Sequence, residues 1–141
     1  MVYVDASFLV ALLSREATAE LAAQWLSDHA EVDLCSADWC MTEVASALSI
    51  KVRTSQLRQL DADDAWSHFE RACGGLIRLE VVLAEDFSAA AQLCRVANAG
   101  LGAGDGLHLA VARRLQCRAL LSLDKNLNLN AQASGLEIVT L

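Results

Sequence analysis

Short apolar runs alternate along this chain with longer stretches in which apolar side chains return every three or four positions. The runs "VYVD" (2–5), "VDLCSA" (32–37), "RALLSLD" (118–124) and "LEIVTL" (136–141) read as strands. "LIRLEVV" (76–82) reads as a strand or an extended connector. The helical period of apolar positions marks the other stretches. "SFLVALLSRE" (7–16) follows the first strand, with Ser7 as a plausible helix cap. "ATAELAAQWLSDHA" (17–30) sets Leu21, Ala22 and Trp25 on one face. "WCMTEVASALSIKVR" (39–53) is a third helix, and "DADDAWSHFERAC" (61–73) a fourth, with acids in its first turn as a helix N-terminus favours. "EDFSAAAQLCRVANAG" (85–100) is stopped by Gly100. "DGLHLAVARRLQC" (105–117) is the last expected helix.

Short, continuous, apolar strands alternating with helices imply a parallel sheet covered on both faces. The expected class is α/β, an α/β/α sandwich on a short-stranded, mainly parallel central sheet, with 1–141 as a single domain. In such sheets the active site lies beyond the carboxyl ends of the strands. Asp5 and Asp124 each sit at one.

Composition narrows the function. With 55% hydrophobic residues the chain can bury a core and is not disordered. No apolar run reaches membrane-span length, and the start carries Asp5 early with no basic leader, unlike a signal peptide. Five scattered cysteines, none in a C-x-x-C pair, suggest reduced thiols and a cytoplasmic protein. A net charge of −7 argues against broad phosphate-backbone binding. It leaves open a site where metal ions supply the positive charge.

Most acids have plain explanations. Asp61, Asp63 and Asp64 favour a helix start; Glu16, Glu20, Glu31, Glu70 and Glu137 suit solvated faces. Four others stand apart. Asp5 ends an apolar strand. Glu43 lies in "MTEVASAL" on a stripe of small or apolar neighbours, Ser46, Ala47 and Ile50. Asp105 opens a strongly apolar helix, and Asp124 ends "ALLSLD". Singly, Asp5 reads equally as a strand terminator, Asp105 as a cap and Asp124 as a turn opener. Together they count for more, because the expected fold places at least two of them at one sheet edge; if all four converge, they repel. Two like charges about 4 Å apart repel by roughly 4 kcal/mol at an effective dielectric near 20. Protonation or a cation must relieve that, and hard oxygen ligands select Mg²⁺ or Mn²⁺. Such ions suit in-line phosphoryl displacement.

Four of the seven glycines fall at 100, 102, 104 and 106. They permit a sharp entry into the helix and leave room around Asp105. They form no dinucleotide motif, because Asp105, Leu107 or Leu109 falls where the last glycine of G-x-G-x-x-G belongs, and no G-K-[ST] follows.

"VYVDAS", "TEVASAL", "GAGDGLHLAVA" and "LLSLDKNL", in this order, resemble the PIN-domain ribonucleases, most closely the VapC-type toxins of bacterial toxin–antitoxin pairs. The resemblance spans essentially the whole chain. It implies an α/β/α sandwich, an acidic cluster of Asp5, Glu43, Asp105 and Asp124 holding Mg²⁺ or Mn²⁺, RNA as substrate, supporting hydroxyls at Ser7 and Ser122, a homodimer, and a small antitoxin partner. This chain departs from the family in having "GLGAG" where bulkier or basic residues are common.

Other residues carry weaker expectations. His108, three positions after Asp105 on the same helical side, is a general base or a packed histidine supporting the site. Lys125, beside Asp124, is the best single candidate for a phosphate contact. Trp25, Trp39 and Trp66 suit the core or a dimer contact. Two rival readings are a PIN-like scaffold that only binds, and a haloacid-dehalogenase-type phosphatase. The latter needs a second Asp two residues after the first, where Ser7 stands.

Overall fold

The structure, a computed structural model, describes residues 1–14 and 18–141. Glu16, expected on a solvated face, lies outside them. The elements run β1 (Val2–Val4), α1 (Ala6–Leu13), α2 (Ala19–Asp28), β2 (Leu34–Ala37), α3 (Trp39–Arg53), α4 (Gln59–Cys73), β3 (Ile77–Glu80) and α5 (Ala84–Cys94). A 3₁₀ turn (Ala97–Ala99) then leads to α6 (Ala103–Arg114), β4 (Ala119–Leu121), α7 (Lys125–Ala133) and β5 (Glu137–Val139). The five strands form one sheet in the order β3-β2-β1-β4-β5. Every pairing is parallel, with Val4 opposite Leu121 and Tyr3 opposite both Cys35 and Leu120.

Strand side chains alternate between faces, and each face meets helices. Val2, Val4, Leu34 and Leu121 pack with Phe8 and Leu9 of α1, Val44 and Leu48 of α3, and Phe69 of α4. Tyr3, Cys35 and Leu120 face the other way, against Leu109 and Val111 of α6 and Leu127 and Ala131 of α7. Helix α5 lies outside α6, with Ala90 packed on Leu107 and Ala110. A Cβ at Gly106 would collide with Cys94 Sγ, so glycine there permits the close approach. The layers are helix, sheet, helix, as expected.

Several local readings are corrected. The cap of α1 is Asp5, whose side chain accepts from Phe8 N, and not Ser7. "LIRLEVV" contains a strand, at Ile77–Glu80. Leu21 is 54% exposed, so only Ala22 of the proposed α2 face is fully buried. Helix α4 begins at Gln59, leaving Asp61 as the one acid in its first turn. Helix α5 ends at Cys94; Gly100, at φ 62°, closes the 3₁₀ turn after it. Helix α6 begins at Ala103, so Asp105 lies inside its first turn and Gly102 is the cap. Helix α7 was not expected from the pattern. Its asparagines are poor helix formers, but Asn126, Asn128 and Asn130 donate to the carbonyls of Gly100, Ser122 and Ala99. These bonds tie α7 to the segments leading to Asp105 and Asp124.

The central strand decides where a site can form. From β1 the chain steps to β2 and β3 on one side and returns to β4 and β5 on the other. Such a reversal opens a crevice at the carboxyl ends of the strands beside it.

Candidate active site at the carboxyl edge of the sheet

Residues following β1 and β4 meet at this crevice. Asp5 N donates to Leu121 O at 3.2 Å. Ser7 Oγ donates to Asp5 Oδ1 at 2.8 Å and accepts from Leu123 N at 2.9 Å. Its proton being committed to Asp5, the 3.3 Å contact with Ser122 Oγ is donated by Ser122. Ser122 Oγ also accepts from Asp124 N at 3.0 Å. The two serines thus fasten the β1–α1 turn to the β4–α7 turn. Asp124 follows β4 by three residues and caps α7, accepting from Leu127 N at 2.8 Å.

Glu43 and Asp105 arrive on helices. Helix α3 leaves the carboxyl end of β2, placing Glu43 one turn after Trp39. Helix α6 runs toward the start of β4, so its N-terminus lies at the same edge. Glu43 Oε2 is hydrogen-bonded to His108 Nε2. A Cβ at position 104 would stand 2.5 Å from Glu43 Oε1, so Gly104 lets that carboxylate lie against α6. The Trp39 indole Nε1 faces the same spot, 3.4 Å from that Cβ position, and is a buried donor with no partner among the described residues.

An open cleft of about 370 Å³ is lined by Ser7, Val10, Glu43, Leu123 and Asp124 among others. Asp5, 4% exposed, is hydrogen-bonded to the cleft residue Ser7. Asp105 is not among the lining residues, but it feels the others electrostatically. Burial first, then the Asp124 charge, push its carboxyl above the usual range; Glu43 adds to this, while the Gly102 backbone and His108 pull it down. Burial likewise raises Asp5, against His108 and the Ser7 hydroxyl. Lys125 is exposed beside Asp124. His108 is 1% exposed, a packed histidine with two partners, Glu43 and Tyr3.

The buried Asp86 shows what a purely structural acid looks like in this fold. Burial would raise it, yet the Arg114 side chain, at 2.8 and 3.0 Å, and the Leu83 amide hold it below its usual range. Among the described residues neither lysine nor arginine pairs with Asp5, Glu43, Asp105 or Asp124.

As they stand, no three His, Cys, Asp or Glu side chains among the described residues converge closely enough to hold an ion. An all-protein metal cage therefore does not fit. A Mg²⁺-like ion that keeps several waters and takes one or two carboxylates does. Acidic oxygens that pair with no lysine or arginine among the described residues border an open cleft, with Glu43 Oε1 lodged where a side chain at 104 would sit.

The sequence pattern of the PIN domain family matches residues 2–132. The chain belongs to the PIN domain family. Solved structures agree on the fold. Mycobacterium tuberculosis VapC20, described as a Sarcin-Ricin loop cleaving toxin, is 17% identical with a TM-score of 0.73, covering 96% of each chain. PAE2754 from Pyrobaculum aerophilum is 22% identical with a TM-score of 0.61, over 98% of this chain and 88% of that one. VapBC2 from Rickettsia felis, bound to a DNA fragment from their promoter, is 12% identical with a TM-score of 0.64, over 99% and 98%. No curated protein matches the chain in sequence.

Tyr3, Trp39 and the α7 asparagines touch the site or its supports without having been singled out for it by the sequence. A tyrosine in V-Y-V reads as core, and only its distant partner at 108 reveals more. Trp39 was read as a core or dimer contact; its position one helical turn before Glu43 was the available signal.

Proposed function

We propose that residues 1–141 form one PIN-like domain acting as a metal-dependent endoribonuclease, the toxin of a toxin–antitoxin pair. The observation that carries this reading is Asp105. Burial first, then the charges of Asp124 and Glu43, raise its carboxyl, so three acids share one neighbourhood, and none of them pairs with a lysine or arginine among the described residues. That arrangement costs the fold stability and suits a divalent cation.

In this reading Asp5, Glu43, Asp105 and Asp124 are the catalytic acids and would hold Mg²⁺ or Mn²⁺, one or two of them directly and the others through the ion's waters. The ion, when bound, activates water and neutralises charge on the scissile phosphate. Ser7 and Ser122 keep Asp5 and Asp124 at fixed spacing through their shared hydroxyl chain. His108 supports Glu43 by hydrogen-bonding one of its oxygens. Lys125, at the open side of Asp124, contacts a flanking phosphate. The protein acts in the cytoplasm, and no helix among the described residues is long and apolar enough to cross a membrane. A homodimer and an antitoxin complete the assembly. Exposed apolar side chains on and beside α5, Phe87 at 57% and Leu83 at 41%, support a protein-covered face.

The test is cleavage of RNA by the purified chain in Mg²⁺, in Mn²⁺ and in chelator, beside Asp124→Asn. Cleavage is expected with metal only, falling more than about 100-fold in the variant, beyond the loss typical of outer-shell partners. Asp124→Asn cleaving at the parent rate removes that acid from the site. A parent that binds RNA and never cuts it favours the binding-scaffold reading.

A further inference from the structure

Glu43 is tied to the backbone of the sheet by a chain of three hydrogen bonds, two of them buried and the last partly so. Ala37 N, at the end of β2, donates to Tyr3 Oη at 2.9 Å. Tyr3 Oη lies 2.8 Å from His108 Nδ1. His108 Nε2 bonds Glu43 Oε2. The rings of Tyr3 and His108 meet edge-on, with centroids 5.7 Å apart. Tyr3 is 0% and His108 1% exposed, so water does not compete for the two bonds at the phenol.

The donors and acceptors fit together in one way. Tyr3 Oη already accepts from Ala37, and its one proton needs an acceptor. His108 Nδ1 is the nitrogen within reach, so Nδ1 is bare and the imidazole proton resides on Nε2. Nε2–H then donates to Glu43 Oε2. A proton on Nδ1 instead would break the Tyr3–His108 bond and leave the phenol proton only the neighbouring Ser36 side chain, which already donates to Val4 O.

We propose that Tyr3 is a positioning residue for the candidate site: its hydroxyl sets the tautomer of His108 and, through it, fixes the carboxylate of Glu43 with Oε1 left free. Its consequence for metal binding rests on the nuclease reading; its consequence for His108 does not. The arrangement is a relay from strand backbone to site carboxylate, of the kind that orients ligands around metal centres.

The experiment has two arms. In the first, the metal-free parent protein, labelled with ¹⁵N-histidine, is examined by long-range proton–nitrogen NMR, with His108→Gln assigning the signal among three histidines. A proton on Nε2 and a bare Nδ1 are expected. A proton on His108 Nδ1 overturns the proposal, and this arm needs no variant at Tyr3 to fold. In the second, Tyr3→Phe is expected to lose the single-tautomer signature and to weaken Mn²⁺ binding about tenfold by calorimetry, at the lower end of outer-shell effects. Unchanged tautomer and Mn²⁺ affinity within about twofold of the parent overturn it. A parent that takes up no Mn²⁺ overturns the nuclease reading instead, and the tautomer spectrum still decides the role of Tyr3.

Discussion

Asp5 carries two duties on one carboxylate. As the cap of α1 it accepts from Phe8 N at 3.3 Å, and it takes the Ser7 hydroxyl on the same oxygen. Neither is a cation, no lysine or arginine among the described residues pairs with it, and a 4%-exposed charge so placed costs the metal-free fold. Burial raises the carboxyls of Asp5 and Asp105 above the usual range. The sign follows: a group with a raised folded pKa gives stability that is complete below its unfolded pKa, about 3.9 for Asp, and lost as pH climbs through the folded value. In chelator, Asp5→Asn should therefore lose less stability than the parent between pH 4 and pH 8. Asparagine caps helices as well as aspartate does, so at pH 8 its melting temperature should equal or exceed the parent's while RNA cleavage falls steeply. A variant melting several degrees lower at pH 8 would make Asp5 a structural cap. This residue was legible because an acid ending an apolar strand is a local oddity. Tyr3 was not, because its meaning lies in a partner 105 positions away.

At the scale of elements, the entry to α6 is the part of the site where backbone shape and chemistry are hardest to separate. Its cap is Gly102, and the Gly102 backbone hydrogen-bonds Asp105 in the first turn. Gly104 faces α3, where a Cβ would press on Glu43 Oε1 and on the Trp39 indole. Glycine inside a helix costs about 1 kcal/mol relative to alanine, so Gly104→Ala gains propensity and disturbs Glu43. The carboxylate is held by His108 and cannot yield without leaving that bond. The expected outcome is stability within about 1 kcal/mol of the parent and RNA cleavage reduced at least tenfold, measured by thermal melts and initial rates. Parent-like cleavage would show that Glu43 need not stay where the structure has it. The glycine cluster was visible in the sequence as room around Asp105, but the neighbour it admits is Glu43, from a different helix. Helix α7 escaped the pattern for a similar reason: its three asparagines serve loops outside the helix, which a helical periodicity does not register.

For the whole molecule, charge sets how substrate is met. A net charge of −7 repels RNA at long range. The cations are also partly spent: Arg58, Arg78, Arg114 and Arg118 each pair with an acid. Lys125 stands exposed, next in sequence to the cleft residue Asp124. Affinity should then come from metal bridging and a few local contacts, not from a basic face. For single strands the logarithm of affinity falls with that of salt at about 0.7 per phosphate contacted, so two or three contacts give a slope of magnitude near 2 or less. The measurement is RNA affinity of the cleavage-deficient Asp124→Asn variant across a salt series, with Mg²⁺ and with chelator. Chelation should weaken binding more than a rise in salt from about 50 to 200 mM, which at a slope of about 2 costs roughly sixteenfold. Lys125→Ala in the same background should weaken binding by a few-fold and leave Mn²⁺ uptake unchanged, since an ammonium cannot ligate the ion. A steep salt slope that ignores the chelator would mean that the residual cations, Arg53, Arg71 and Arg113 among them, act together as the RNA surface.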